Sequence, residues 1–228
     1  MDIRLAPWSM EDAEALAFLM ERADRRYLSD RLPKPYTLEN ARWWLEMVAQ
    51  QEGKTGLFRK ILVDGHMVGN ISAEGQEDIY RKDAVLGYVL DKEQWGRRIM
   101  SRAVELFCPL VFDRLDVLRL SARVLEENIP SRRVLEKNGF QLEGVVKLGA
   151  WKEERAHDLW LYGKLKNQNG DTDAGDVFAA PDVSEMREVI RQRRDAATQT
   201  PAAPQPHFCT KCGSPLDEAG NCPNCTKE

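Results

Sequence analysis

The chain has 228 residues, 43% of them hydrophobic and 31% charged, and a formal net charge of −4. That balance describes a soluble globular protein with room for one sizeable domain and something small. It shows no basic footprint for nucleic acid, no apolar run long enough to span a membrane and no signal-peptide pattern after Met1, so the expected compartment is the cytoplasm.

Ile3 to Leu5 reads as a first strand, ended by Pro7. Ser9 is a candidate N-cap with Asp12 three residues on. Ala13, Leu16, Ala17, Leu19 and Met20 then give an amphipathic helix. Pro33 and Pro35 force a non-helical connection, after which Thr37 caps a second helix. Trp43 and Trp44 on that helix read as core or as the mouth of a substrate site. Strand-like runs at 57–63 and 67–73 flank Asp64-Gly65, the best hairpin signal in the chain. Glu74, Glu77 and Asp78 follow, either a solvated loop or an acidic rim that attracts an amine.

Residues 84–90 form the next strand. It runs into a polar loop holding Trp95, Gly96, Arg97 and Arg98, and a helix starts at about Ile99. A strand, a glycine-containing loop and a helix N-terminus together make an anion cradle suited to a pyrophosphate. Cys108, beside Pro109, reads as a buried structural thiol. A strand at about 117–125 leads to Asn128, Ser131 and a helix that stops at Asn138-Gly139, with Gly139 as its C′ residue. Strands at 141–148 and 159–165 flank a turn at 151–154. The mixed order of strands and helices points to an α/β or α+β fold over residues 1–166.

Composition then shifts. Residues 167–206 read as a linker, with a polar helix at 182–197 and a Pro-rich spacer after it. Residues 207–228 carry four of the five cysteines. Cys209 and Cys212, then nine residues, then Cys222 and Cys225, form two CxxC knuckles. Two such knuckles complete a tetrahedral thiolate site, so a structural Zn2+ ribbon is expected there, its role being to bind a protein partner, nucleic acid or a second copy of the chain. Few Lys or Arg lie in this segment, which argues against nucleic acid.

The strings GYVLD, QWGRRIM, NIPSRRVLEKNGF, LEG and His157-Asp158 resemble the GNAT N-acetyltransferase superfamily, in its branch similar to the RimJ/RimL ribosomal-protein acetyltransferases. The asparagine–serine–helix string is the specific part; a glycine loop alone is weak. The resemblance covers residues 1–166. It implies a mixed, mainly antiparallel twisted sheet flanked by helices, acetyl-CoA as co-substrate, and a primary amine that attacks the thioester directly. It further implies that backbone groups of Tyr88, Val89 and Leu90 hold the pantetheine arm and polarise the acetyl carbonyl. The N–H groups of Trp95, Gly96, Arg97, Arg98 and Ile99 would take the pyrophosphate. Asn128 would meet the cofactor or the substrate channel, and Ser131 would protonate the leaving thiolate.

This sequence departs from the family pattern in two places. Glu93 and Arg98 stand at the first and last positions of the glycine loop, where Gln or Arg and a small residue are usual. Arg123 and Leu135 stand where related ribosomal alanine acetyltransferases place a glutamate and a tyrosine. The base therefore stays open among Glu74, Glu77, Glu126 and a water relay, with Glu74 the named candidate. An N-terminal α-amine deprotonates near pH 7.7–8.0, against about 10.4 for lysine, and needs the least help. The acceptor is expected to be a protein N-terminal amine. Alternatives are a small amine, such as an amino acid, polyamine or antibiotic, or a catalytically weak acyl-CoA-binding scaffold acting through the ribbon. Arg132 and Arg133 either reach cofactor phosphates or lie solvated, and Glu143 and Asp158 read as structural.

Overall fold

Asp64 and Gly65 adopt φ values of 49° and 85°, the left-handed pair that a type I′ turn needs. The strands on either side, β2 (Gly56–Val63) and β3 (His66–Gly75), close from the Val63↔His66 pair outward. This hairpin belongs to the computed structural model of the protein, which describes residues 1–166. The expected helix at 182–197 and the four-cysteine ribbon at 207–228 lie outside the described residues.

Around the hairpin stand β1 (Ile3–Ala6), β4 (Asp83–Leu90), β5 (Arg119–Leu125), β6 (Gln141–Lys152) and β7 (Arg155–Leu165). They form one seven-stranded sheet in the order β1-β2-β3-β4-β5-β7-β6. Every pairing is antiparallel except that of β4 with β5.

The helices are α1 (Ala13–Arg22), α2 (Leu38–Gln51), α3 (Ile99–Arg114) and α4 (Ile129–Lys137). Ser9 opens a short turn of 3-10 helix ahead of α1, and Asp12 Oδ2 accepts from the Ser9 N–H at 2.8 Å. Thr37 and Asn40 form a reciprocal capping box at the start of α2. At the end of α4, the Phe140 N–H donates to the Leu135 carbonyl and the Gly139 N–H to that of Glu136. Gly139, at φ 77°, makes this Schellman closure possible.

Two cores lie on opposite faces of the sheet. In α3, Ile99, Met100, Ala103, Val104, Phe107, Cys108 and Val111 are buried in a stripe at helical spacing. They pack with Val68 of β3, and Tyr88 and Leu90 of β4 lean on the same cluster. Met67 and Val89, the strand neighbours of Val68 and of Tyr88 and Leu90, pack instead with Leu16, Leu19, Ala41 and Leu45 of α1 and α2. Adjacent residues of a strand point to opposite faces, so α3 and the α1/α2 pair sandwich the sheet. Burial pushes the Cys108 thiol up to about 11, as an inert structural cysteine requires. Trp44 belongs to the second core, edge-on to Trp8 with ring centroids 5.4 Å apart, while Trp43 is exposed.

The terminal hairpin runs further than the sequence predicts. β6 continues to Lys152 and β7 begins at Arg155, with Glu153 and Glu154 at φ 51° and 61° in the turn. A bulge between Val146 and Ala150, with Leu148 at φ 52°, breaks the apolar alternation that would have marked this extension.

Candidate active site

The site grows out of the one parallel pair. β4 and β5 are joined at Asp83↔Arg119, Ala84↔Leu120 and Val85↔Ser121, and the ladder stops there. Beyond it, β4 stays paired only with β3, through Leu90, and β5 only with β7, through Leu125. The backbone groups of Gly87 to Leu90 that face β5 therefore lack a strand partner. Backbone donors and acceptors in that state call for an extended, amide-bearing guest.

A cavity of about 540 Å³ occupies the opening. Tyr88, Val89 and Leu90 line it from β4; Gly96, Arg98 and Ile99 from the loop and the start of α3; Asn128 and Ser131 from α4 and its cap. Trp95 lines it as well. The structure thus brings together the residues that the resemblance assigned to the cofactor, with the exception of Arg97. The Arg97 side chain turns aside to Gln94 Oε1 at 2.5 Å.

The glycine loop ends at the N-terminus of α3. Asp91 Oδ1 accepts from the Glu93 N–H at 3.1 Å, and a 3-10 turn over Lys92–Gln94 follows. Gly96 adopts φ 77°. The first helical bond of α3 runs from the Arg102 N–H to the Arg98 carbonyl. Among the described residues, the N–H groups from Gly96 to Ser101 have no protein acceptor. Such a run, at the positive end of a sixteen-residue helix, favours a phosphate. Trp95 falls outside it. Its backbone N–H donates to the Lys92 carbonyl at 3.2 Å, and its indole N–H to that of Leu90 at 3.0 Å.

Arg98 is the N-cap of α3, with φ 61° and ψ 12° and no capping side-chain bond. The left-handed backbone gives a physical reason why a small residue is usual at this position. Glu93, the other departure, accepts from Arg22 across the loop.

At the other wall, Asn128 caps α4, its Oδ1 accepting from the Ser131 N–H at 3.2 Å. Only its amide NH2 is left for a ligand. Ser131 Oγ lies 2.8 Å from the Tyr88 hydroxyl, a bridge from α4 to β4 across the opening. Burial pushes the Tyr88 phenol above its ordinary range, against a smaller opposing effect of the Ser131 hydrogen bond.

The base candidates fare differently. Glu74 is exposed on β3 opposite Val85, where the β4–β5 ladder is still closed, and the structure does not bring it to the cavity. Glu77 and Glu126 are exposed and do not line it either. Among the described residues, the one carboxylate in the wall is Asp24, which sequence reasoning missed. Hydrogen bonds from Arg26, 2.6 Å and 2.9 Å away, hold its carboxyl below the usual range, and that makes it a poor base.

Asp24, Tyr27 and Leu28 bring the α1–α2 connection to the cavity. The connection is tied down by Tyr27 to the Glu127 carbonyl at 3.3 Å and by Lys152 to that of Leu28 at 2.8 Å. No motif in the sequence marked these residues. The two arginines of α4 separate: Arg133 lines the cavity, whereas Arg132 stacks over the Trp160 ring at 3.5 Å. Glu143 is paired with Arg119, and Asp158 with Lys147 and the Leu148 N–H, so both are structural.

Residues 2–141 match the family model described as an acetyltransferase (GNAT) domain. The chain is 33% identical over 143 residues to the probable N-acetyltransferase YjcK of Bacillus subtilis, covering 60% of this chain and 76% of that one. It is 32% identical over 113 residues to the putative ribosomal N-acetyltransferase YdaF of the same organism, covering 50% and 61%. Among solved structures, it resembles RimL, a ribosomal alpha-N-protein acetyltransferase in complex with coenzyme A. The TM-score is 0.63 at 24% identity, over 72% of this chain and 93% of that one. The chain belongs to the GNAT acetyltransferase family. It is an acyltransferase, an N-acetyltransferase close to the ribosomal-protein acetyltransferases.

Proposed function

We propose that the protein transfers an acetyl group from acetyl-CoA to an N-terminal α-amine of a protein, by direct attack of the amine on the thioester. The observation that carries this reading is the opening between β4 and β5, where Gly87–Leu90 have no strand partner on the β5 side and, among the described residues, the N–H groups from Gly96 to Ser101 have no protein acceptor. The residues present fit coenzyme A. An extended pantetheine arm pairs with the free edge of β4, and the pyrophosphate rests on the N-terminus of α3. A larger adjoining groove of about 920 Å³ shares Arg98 and Lys137 with the cavity and adds Arg102, Lys164 and Lys166, a basic continuation for the nucleotide end.

In this reading, the backbone N–H of Tyr88 or Leu90, on the β5 side of β4, stabilises the oxyanion as the amine attacks. Ser131 gives its proton to the departing thiolate, and the Asn128 amide orients the cofactor or the acceptor. Glu74 does not line the cavity and Arg26 holds the Asp24 carboxyl below its usual range, so among the described residues no strong base stands in the wall. That favours an acceptor that loses its proton unaided, and α-amines do so near pH 8. Relatives described as ribosomal acetyltransferases support a protein acceptor.

Thiol release with N-terminal peptides, lysine-bearing peptides with blocked N-termini, polyamines and amino acids tests the reading. Turnover is expected with free N-terminal peptides. Tight coenzyme A binding without turnover on any acceptor contradicts it. For the C-terminal segment, the spacing of Cys209, Cys212, Cys222 and Cys225 supports a structural zinc and a protein-binding role. Elemental analysis of the purified chain checks this, less than one zinc per chain counting against it.

A further inference from the structure

The Tyr88 side chain has no part in holding coenzyme A through the β4 backbone, yet its hydroxyl meets Ser131 twice. It lies 2.8 Å from Oγ and 3.3 Å from the Ser131 carbonyl oxygen. From this geometry we infer that Tyr88 is a positioning residue for acetyl transfer, its phenol O–H donating to Ser131 Oγ so that the Ser131 hydrogen points at the leaving sulfur. The inference rests on the proposed acid role of Ser131.

The argument is one of donors and acceptors. A serine hydroxyl has one hydrogen and two lone pairs, and it turns freely unless a neighbour fixes it. If Ser131 donates to the departing thiolate, its oxygen must face Tyr88 as an acceptor, and Tyr88 must be the donor. A phenol is the stronger donor of the two, and its single hydrogen goes to the nearer acceptor, Oγ at 2.8 Å rather than the Ser131 carbonyl oxygen at 3.3 Å. The backbone of Ser131 is already fixed by the Asn128 cap, which leaves the hydroxyl rotor as the remaining freedom. Tyr88 removes it.

Hydrogen bonds in series also strengthen one another, so a donated bond to Oγ makes the Ser131 O–H a better donor toward developing negative charge. Net transfer of the Tyr88 proton is not part of the scheme. Burial holds the phenol above its ordinary range, so it stays protonated and serves as a donor through the working pH range. In the balanced step, the amine lone pair forms the carbon–nitrogen bond and the carbon–sulfur bond breaks as the carbonyl re-forms; sulfur takes its electron pair and the Ser131 proton, and the proton shed by the nitrogen returns to Ser131 through water. Tyr88 begins and ends neutral.

The test is a double-mutant cycle in the full chain. Tyr88→Phe should lower kcat about tenfold and leave the acetyl-CoA KM within about twofold. In a Ser131→Ala background the same substitution should change kcat by less than about twofold, because the group it positions is gone. Coenzyme A affinity and thermal melting monitor folding.

Full activity in Tyr88→Phe with a crippled Ser131→Ala overturns this inference and leaves the acid reading standing. Full activity in Ser131→Ala overturns both. An undiminished Tyr88→Phe effect in the Ser131→Ala background also overturns it. If the phenylalanine variant melts early, a fluorinated tyrosine placed at 88 keeps the volume and lowers the phenol's pKa. The kcat profile should then gain a descending limb at that lower pH, because a phenolate cannot donate. An unchanged profile refutes the inference.

Discussion

Arg98 offers the sharpest test of how this fold differs from its relatives. It sits at φ 61° at the head of α3, a region in which an L-residue with a Cβ costs roughly 1–2 kcal/mol relative to a right-handed one. Arg98→Gly removes that strain but adds about 0.5–1 kcal/mol of unfolded-state entropy. The expected net gain is about 0.5–1 kcal/mol, which for a domain of this size raises Tm by about 1–4 °C. Arg98→Asn should do likewise, since asparagine tolerates left-handed backbone and is a good N-cap. Arg98→Lys keeps the strain and should not.

Coenzyme A binding should move the other way. The backbone N–H at 98 is kept in all three variants, but Gly and Asn lose an exposed charge worth at most about 1 kcal/mol, or about fivefold in Kd. Scanning calorimetry and titration of coenzyme A into each variant measure the two effects separately. A lower melting temperature for Arg98→Gly, or an equal rise for Arg98→Lys, refutes the strain argument.

Other outcomes follow from the same geometry. Ser131→Ala should lower kcat by about 100-fold with coenzyme A affinity intact, measured by steady-state kinetics and calorimetric binding. Asn128→Ala should destabilise by about 1 kcal/mol through loss of the α4 cap, visible in denaturant melts as a lower midpoint at constant slope. Asp12 is half-buried: burial raises its pKa, but the hydrogen bonds from Lys60, at 2.6 Å, and from Ser9 outweigh this and lower it. Its folded pKa is therefore below the unfolded one. The stability it contributes is present above about pH 4 and is lost as pH falls through the lowered value. The Tm gap between the protein and Asp12→Asn should accordingly narrow between pH 6 and pH 3; a constant gap contradicts the assignment. For an α-amine acceptor, kcat/KM should rise with pH and level off near pH 8, whereas a lysine acceptor keeps rising toward about 10.

Much of this was legible in the sequence, for physical reasons. Asp64-Gly65, the Thr37 cap and Gly139 announce themselves because their backbone conformations admit few residue types. About half of the cavity wall was legible, because Gly96, Asn128 and Ser131 sit in the strings that carry the family resemblance. What escaped lacked such signatures. Glu153 and Glu154 make a turn usually written with Asn or Gly, so the last hairpin looked shorter than it is. The left-handed Arg98 was hidden because its side chain gives no hint of its backbone. Asp24, Tyr27 and Leu28 reach the site through the tertiary course of the α1–α2 connection, and no local spacing encodes that. Glu74 is the converse case: a plausible carboxylate by type, set by β3 register on the closed side of the ladder.

The central claim is acetylation of an N-terminal amine in the cleft between β4 and β5. Tandem mass spectrometry of a reacted peptide with both a free N-terminus and an internal lysine tests it most directly. The account predicts one acetyl group on the α-amine, dependent on acetyl-CoA and greatly reduced in Ser131→Ala. Acetylation of the lysine alone, or the same α-amine yield without the enzyme, contradicts it.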